Sequence, residues 1–141
     1  MKAFKNRGAS IGNYSTLQTG VRLYNSKGIT IGNNTFLGRG VKVYGYGSKV
    51  TIGDNVLIAS DTKIITRNHR FDSLDLDIRE QGYSSSPIDI GSNVWIGFNV
   101  VVLEGVRIGD GCVIGANSIV SHDIPSNSVA VGSPCRVIRG R

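Results

Sequence analysis

The sequence predicts an all-β chain wound as a parallel β-helix with a triangular cross-section. Three observations carry that prediction. The first is a period of six: stepping from Ile90 gives Ile96, Val102, Ile108, Ile114 and Val120, every one aliphatic, and matches counted against a fixed template are the primary signal of regular structure. The second is the glycine beside the aliphatic residue, at Gly91, Gly97, Gly109 and Gly115. Glycine totals 19 of 141 residues against three prolines, well above its usual ~7% share, which fits repeated tight turns rather than a linker. The third is recurrence: Ile11-Gly12, Ile31-Gly32, Leu37-Gly38 and Ile52-Gly53 open the same unit earlier, and Ile58 and Ile64 follow Ile52 without interruption.

A six-residue period suits neither a helix, which repeats at 3.6, nor one long strand, which alternates at 2. It suits a short strand plus a turn. The aliphatic residue and the small residue two before the next aliphatic (Val94, Val100, Val106, Cys112, Ser118, Ile124) point inward, and the glycine relieves the backbone at the corner. Ile11, Ile31 and Ile52 are spaced by 20 and 21 residues and Ile90 and Ile108 by 18, so three hexads make one coil. The earlier hexads read as the same unit in broken register. A single coil cannot bury its inner face; stacked coils form a continuous core and pair their backbones.

Length and composition give one domain over 1–141. With 40% hydrophobic and 18% charged residues, the chain is neither disordered nor highly charged. No apolar run approaches the ~20 residues of a membrane span, and the N-terminal stretch has no apolar segment after its lysines, so no secretory signal is expected. Cys112 and Cys135 form no zinc pattern and imply no disulfide framework, which favours a reducing, cytoplasmic setting. The net charge of +6 is compatible with nucleic acid, an anionic surface or a phosphorylated ligand. Few aromatics, 7%, and the lack of a nucleic-acid motif set the first aside. No Walker loop or dinucleotide fingerprint is present.

Repetition fails between His69 and Ile88. The intervening loop, about 70–87, has no hexad glycines and carries Asp72, Asp75, Asp77 and Glu80, four of the ten acidic residues. A polar excursion from a regular scaffold is where function concentrates, although a tolerated insertion has the same appearance. At its root lies His69, one of two histidines. Imidazole titrates near neutrality and accepts a proton from a hydroxyl; a structural, hydrogen-bonded histidine is the alternative. The C-terminal 134–141 segment, with Arg136, Arg139 and Arg141, reads as a basic tail or a phosphate clamp.

From Val50 to Arg139 the segments VTIGDNVLIAS, NH, SPIDIGSNVWIG, VRIGDGCVIGANSIVSHDIP and GSPCRVIRGR occur in an order that resembles the hexapeptide-repeat acyltransferases. They are similar to the galactoside and maltose O-acetyltransferases and to the polysaccharide O-acetyltransferases. The resemblance implies a left-handed parallel β-helix of hexapeptide repeats, acetyl-CoA as co-substrate with no metal, and a homotrimer with coenzyme clefts between subunits. It implies that His69 is the catalytic base. It places Gly97, Phe98, Ala116, Ser121, His122, Arg136 and Arg139 against the coenzyme, with the two arginines on its phosphates. His122 stands where relatives often carry lysine, and a surface turn is its alternative. Phe98 stands where relatives often have a small residue, leaving its backbone N–H as the contact. Asn68, Asp72 and Trp95 are candidates for the acceptor side. Asp72 either orients His69 or faces solvent or sugar, and Trp95 either lines the cleft or covers a subunit contact. Cys112 and Cys135 read as structural thiols.

The function so implied is transfer of an acetyl group from acetyl-CoA to a hydroxyl of a sugar or polysaccharide precursor, with His69 deprotonating the hydroxyl and backbone N–H groups near Gly97 and Phe98 stabilising the oxyanion. Hexads begin by Ile11, and Gly47 stands where the galactoside branch has an acidic residue. Both features point away from free galactosides and towards a lipid-linked or polymeric saccharide. An amino-sugar N-acetyltransferase, a streptogramin-type acceptor and a non-catalytic β-helix scaffold are the alternatives.

Overall fold

The computed structural model describes residues 8–141. The chain winds through three parallel sheets that form the faces of a prism. The first face stacks Ser10–Ile11, Ile29–Ile31, Val50–Ile52, Ile88–Ile90 and Arg107–Ile108. The third stacks Arg22–Tyr24, Lys42–Tyr44, Lys63–Ile65, Val101–Val102 and Ile119–Val120. The second begins with Thr16–Leu17 and runs through Phe36–Leu37, Leu57–Ile58, Trp95–Ile96 and Val113–Ile114 to Ser128–Val131 and Arg136–Gly140. Register is kept between rungs: Ile31 pairs with Ile52, Ile52 with Ile90, and Ile90 with Ile108.

The aliphatic position of each hexad forms an inward ladder, and the period extends further than the glycines reveal. Ile11, Leu17 and Leu23 make one coil, and Ile31, Leu37 and Val43 the next. The first two coils are therefore complete, and the register breaks only between coils, where Leu23 to Ile31 and Val43 to Ile52 span 8 and 9 residues. Leu17, Leu23 and Val43 were hidden because no Ile-Gly or Leu-Gly pair announces them. The second inward position is also closed: Val94, Val100, Val106, Cys112, Ser118 and Ile124 are all buried. Where that position is a hydroxyl, it bonds a carbonyl: Thr35 Oγ1 that of Gly53 at 2.8 Å and Ser15 Oγ that of Gly32 at 2.7 Å, both in the adjoining rung, and Ser118 Oγ that of Gly115 in its own coil at 2.7 Å. A buried polar group without a partner would be costly.

The hexad glycines act differently from the expectation. Their φ values are not left-handed; the left-handed residue stands two positions later. Asn34, Asn55, Asn93, Asn99, Asn117 and Asn127 hold it at φ between 51° and 59°, and Gly20, Gly40, Gly105 and Gly111 hold it elsewhere. Asparagine tolerates this region because its short polar side chain bonds locally. The hexad glycine is instead required by space. A Cβ on Gly53 would lie 2.7 Å from the Gly91 carbonyl carbon, and one on Gly97 would lie 2.8 Å from the Ala116 nitrogen.

Two further expectations change. The interruption is a β-hairpin: Arg67–His69 pairs antiparallel with Tyr83–Ser85, and a 3-10 turn at Ile78–Glu80 closes its far end. Its tip is not uniformly polar, since Phe71, Leu74, Leu76 and Ile78 are exposed, Leu74 at 99%. The 134–141 segment is not a tail. Arg136–Gly140 runs antiparallel on Ser128–Val131 and closes the second face. Among the described residues no helix is long and apolar enough to cross a membrane.

Crowding at the corner sets a stability test. Gly53→Ala is expected to lower unfolding free energy by about 1–3 kcal/mol, the usual cost of overpacking. Gly140→Ala, where a Cβ meets nothing nearer than 3.9 Å, is expected to stay within about 0.5 kcal/mol of wild type. Denaturant unfolding of both variants measures the difference.

Candidate active site

The hairpin leaves the prism between the third and first faces and carries His69 on its first strand, opposite Tyr83. The His69 ring is exposed and lies 4.8 Å from the Tyr83 ring, tilted by 40°. No hydrogen bond or ion pair among the described residues occupies either ring nitrogen, so both are available to a ligand. A pocket of about 330 Å³ opens beside it, lined by Tyr44, Tyr46, Lys63, Ile65, Arg67, Asn68, His69 and Tyr83. Asn68 thus joins His69. Asp72 does not: it is exposed further along the hairpin, outside this lining, and no bond joins its carboxylate to His69.

Glu104 supports the hairpin from the next coil, and the sequence reading passed over it. Its Oε1 accepts from Asn68 Nδ2 at 3.1 Å and from Ser84 Oγ at 2.8 Å. Asn68 and Ser84 face each other across the two hairpin strands. One carboxylate oxygen therefore ties both strands next to His69. The other oxygen, Oε2, is buried without a hydrogen-bond partner among the described residues. Only the fold could show this, since Glu104 lies 36 residues from Asn68.

The other candidates gather elsewhere. Gly97, Phe98 and Ala116 stack in one corner between the second and third faces. The Gly97 N–H already donates to Ile114 O at 2.8 Å as part of the rung ladder. It is not available to an oxyanion, which corrects that part of the expectation. The Phe98 N–H bonds no acceptor among the described residues, while its carbonyl accepts from Asn117 N at 2.9 Å. Trp95 stands on the outer side of the second face between Leu57 and Val113, 55% exposed.

A third group lies at the last coil. His122, Asp123, Ile124, Cys135, Arg136 and Val137 line a cleft of about 450 Å³. Ser121 Oγ is 3.1 Å from His122 Nδ1. Arg136 pairs with Val131 and Arg139 with Val129, because the register shifts between those pairs and leaves Ile138 as the extra residue. An i, i+3 pair would normally face opposite sides of a strand; the bulge puts Arg136 and Arg139 opposite residues two apart, hence on one side. Burial pushes the Cys135 thiol up from its ordinary pKa, and this outweighs the Ser118 hydroxyl and Arg136 charge, which pull it down. It is a neutral thiol, as is consistent with a structural role. Cys112 is buried with Sγ 3.0 Å from Pro125 O. Among the described residues, no group of three or more His, Cys, Asp or Glu side chains is placed to hold a metal ion.

A family pattern described as bacterial transferase hexapeptide (six repeats) matches residues 87–122. The galactoside O-acetyltransferase of Escherichia coli is 55% identical over 91 residues, which are 64% of this chain and 43% of that protein. The chain therefore spans less than half the length of that relative. Among solved structures, a hexapeptide-repeat acetyltransferase of Vibrio cholerae complexed with acetyl coenzyme A superposes with a TM-score of 0.88 at 35% identity, over 99% of this chain and 74% of that one. A galactoside acetyltransferase in complex with coenzyme A gives 0.88 at 39% identity, over 99% and 68%. This chain belongs to the hexapeptide-repeat acetyltransferases.

The role of Glu104 is open to measurement. Glu104→Ala removes the acceptor that ties Asn68 to Ser84 and is expected to cost about 1.5–3 kcal/mol, the range for a hydrogen bond to a charged group. Amide exchange is expected to quicken in 67–70 and 82–85 while the rungs of the prism stay protected.

Proposed function

We propose that the protein transfers the acetyl group of acetyl-CoA to a hydroxyl of a saccharide, with His69 as general base. The observation that carries this reading is the His69 ring: exposed at the mouth of a pocket, propped by Tyr83, and with both nitrogens available. Resemblance of the coil and the family membership supply the reaction class; the hairpin supplies the position.

In the proposed reaction His69 takes the proton of the acceptor hydroxyl. The oxygen forms a bond to the thioester carbonyl carbon, and negative charge develops on the carbonyl oxygen, where the Phe98 N–H is the available donor. The C–S bond then breaks, and the imidazolium returns its proton to the leaving thiolate. Arg136 and Arg139, presented on one side of their strand, suit the phosphates of the coenzyme, since guanidinium donors form a planar fork.

Among the described residues His69 lines one pocket and Arg136 another, and Phe98 and Arg139 line neither of the two. A cleft shared between copies reconciles them, with the hairpin of one subunit facing the corner and last strand of its neighbour. The exposed Phe71, Leu74, Leu76 and Ile78 at the hairpin tip suit burial against a second copy. A homotrimer is the cyclic assembly we propose.

Two measurements test these points. Release of coenzyme A thiol from acetyl-CoA, with a panel of sugars and amino sugars, is expected to depend on acceptor and to fall about 10²–10⁴-fold in His69→Ala, the usual worth of a general base. Equal release by both proteins removes His69 from that role. For the shared cleft, His69→Ala and Arg136→Ala/Arg139→Ala proteins are unfolded, mixed and refolded together. Activity is expected to return at about a quarter of the interfaces, those that pair two intact halves in a cyclic assembly. No return would place the complete site in one chain.

A further inference from the structure

A continuous stack of flat groups runs along the third face and up the hairpin to His69. Tyr24 and Tyr44 stack at 4.7 Å with their planes 10° apart, and Tyr46 lies 6.5 Å from both. The Arg67 guanidinium carbon is 4.8 Å from the Tyr46 ring centroid and 4.0 Å from that of Tyr83. Tyr83 in turn contacts His69. Arg67 is thereby held by rings and not by an anion. It makes no side-chain hydrogen bond and no ion pair among the described residues.

That arrangement has a chemical consequence. A guanidinium carries five N–H donors in its own plane and none on its faces. Two rings this close to the guanidinium carbon hold the group and shield it from water, while its N–H donors stay unpaired. A group so prepared matches two coplanar oxygens of a carboxylate or phosphate. The pocket lining adds Lys63, whose Nζ gives one bond to Asn99 Oδ1 at 2.8 Å and retains two donors, and it contains no carboxylate. Glu104, which borders Asn68 of that lining, turns its bonded oxygen to Asn68 and Ser84. Tyr44, Tyr46 and Tyr83 offer apolar ring surface of the kind against which a sugar ring packs.

We infer that the acceptor is an anionic saccharide, whose carboxylate or phosphate is bound by the edge of Arg67, with Lys63 beside it, while a hydroxyl of the same molecule reaches His69. This deepens the transferase reading and rests on it. Arg67 is a specificity residue for the acceptor and plays no part in holding acetyl-CoA.

The test compares matched acceptors: methyl glucoside, methyl glucuronide and glucose 1-phosphate, which separate neutral, carboxylate and phosphate forms of one ring. For the wild type, kcat/KM is expected to be at least about tenfold higher for one of the charged acceptors than for the glucoside, a difference of about 1.4 kcal/mol. Arg67→Leu and Arg67→Gln are expected to abolish that preference through acceptor KM, with acetyl-CoA KM unchanged; Arg67→Lys retains part of it. Whichever charged form is preferred identifies the anion. Equal use of neutral and charged acceptors, an unchanged preference in both variants, or a rise in acetyl-CoA KM would overturn the inference. The last outcome would assign Arg67 to the coenzyme. Direct binding of the same three sugars to His69→Ala, by ligand-observed NMR, keeps the two readings apart. Charged-over-neutral binding that is lost on adding Arg67→Leu sustains the anion site even if no acceptor supports coenzyme A release. Release with the glucoside alone sustains the transferase and refutes the anion site.

Discussion

Close approach of one coil to the next governs everything else in this molecule. Rungs are joined by backbone bonds such as Gly53 N to Ile90 O at 2.9 Å and Gly97 N to Ile114 O at 2.8 Å, so the sheets keep the strand spacing of roughly 4.7–4.9 Å. At that spacing the corners at Gly53 and Gly97 have no room for a Cβ next to the aliphatic residue. The chain must then turn at once, and a left-handed residue follows two positions later. The aliphatic ladder, the glycine beside it and the asparagine beyond are three results of one geometric demand. Two or three extra residues fit at a corner, as in the coils spaced by 20 and 21 residues; a longer excess leaves the prism outright. The hairpin of 67–85 is such a departure.

Departure concentrates the exposed polar and aromatic side chains around His69. Rung residues have their backbone groups committed to neighbours, and their side chains are either sealed inside or laid flat on a face. Only the hairpin brings a second pair of strands up to the third face. There Tyr83 meets Arg67 and His69, and Arg67 meets Tyr46. The scaffold contributes rigidity: Glu104, fixed in the following coil, reaches both strands of the stem through one oxygen. A side chain for proton transfer is placed well when its support is built on regular elements.

Legibility in the sequence followed the range of the interactions. The period of six was visible because it is a short-range pattern, and it gave the parallel coils, the inward positions and the buried Cys112. It was least visible in the first two coils, where Leu17, Leu23 and Val43 lack the adjoining glycine and only rung pairing with Leu37, Val43 and Ile64 reveals them. The placement of His69 and Asn68 at the break in the repeat was legible, and both line the pocket there. Glu104 and the Arg67 stack were not, since each depends on contacts tens of residues apart. The commitment of the Gly97 N–H was equally hidden, because a donor's partner is a property of the next coil. The closing strand looked like a charged tail because its pairing residues, Ser128 to Val131, belong to the last hexad and give no local sign of a hairpin.

That closing strand also determines how the protein meets copies of itself along its axis. A parallel ladder left open at its end offers unpaired N–H and C=O groups to any other extended chain, the usual start of edge-to-edge aggregation. On the second face the chain reverses, and Arg136–Gly140 covers the edge that Ser128–Val131 would otherwise present. The new outer edge carries Arg136 and Arg139 and is distorted at Ile138. Charge and a bulge are the devices by which natural sheets discourage further pairing. Growth of that face by another molecule's strand is thus blocked by the same two arginines that the strand turns to one side.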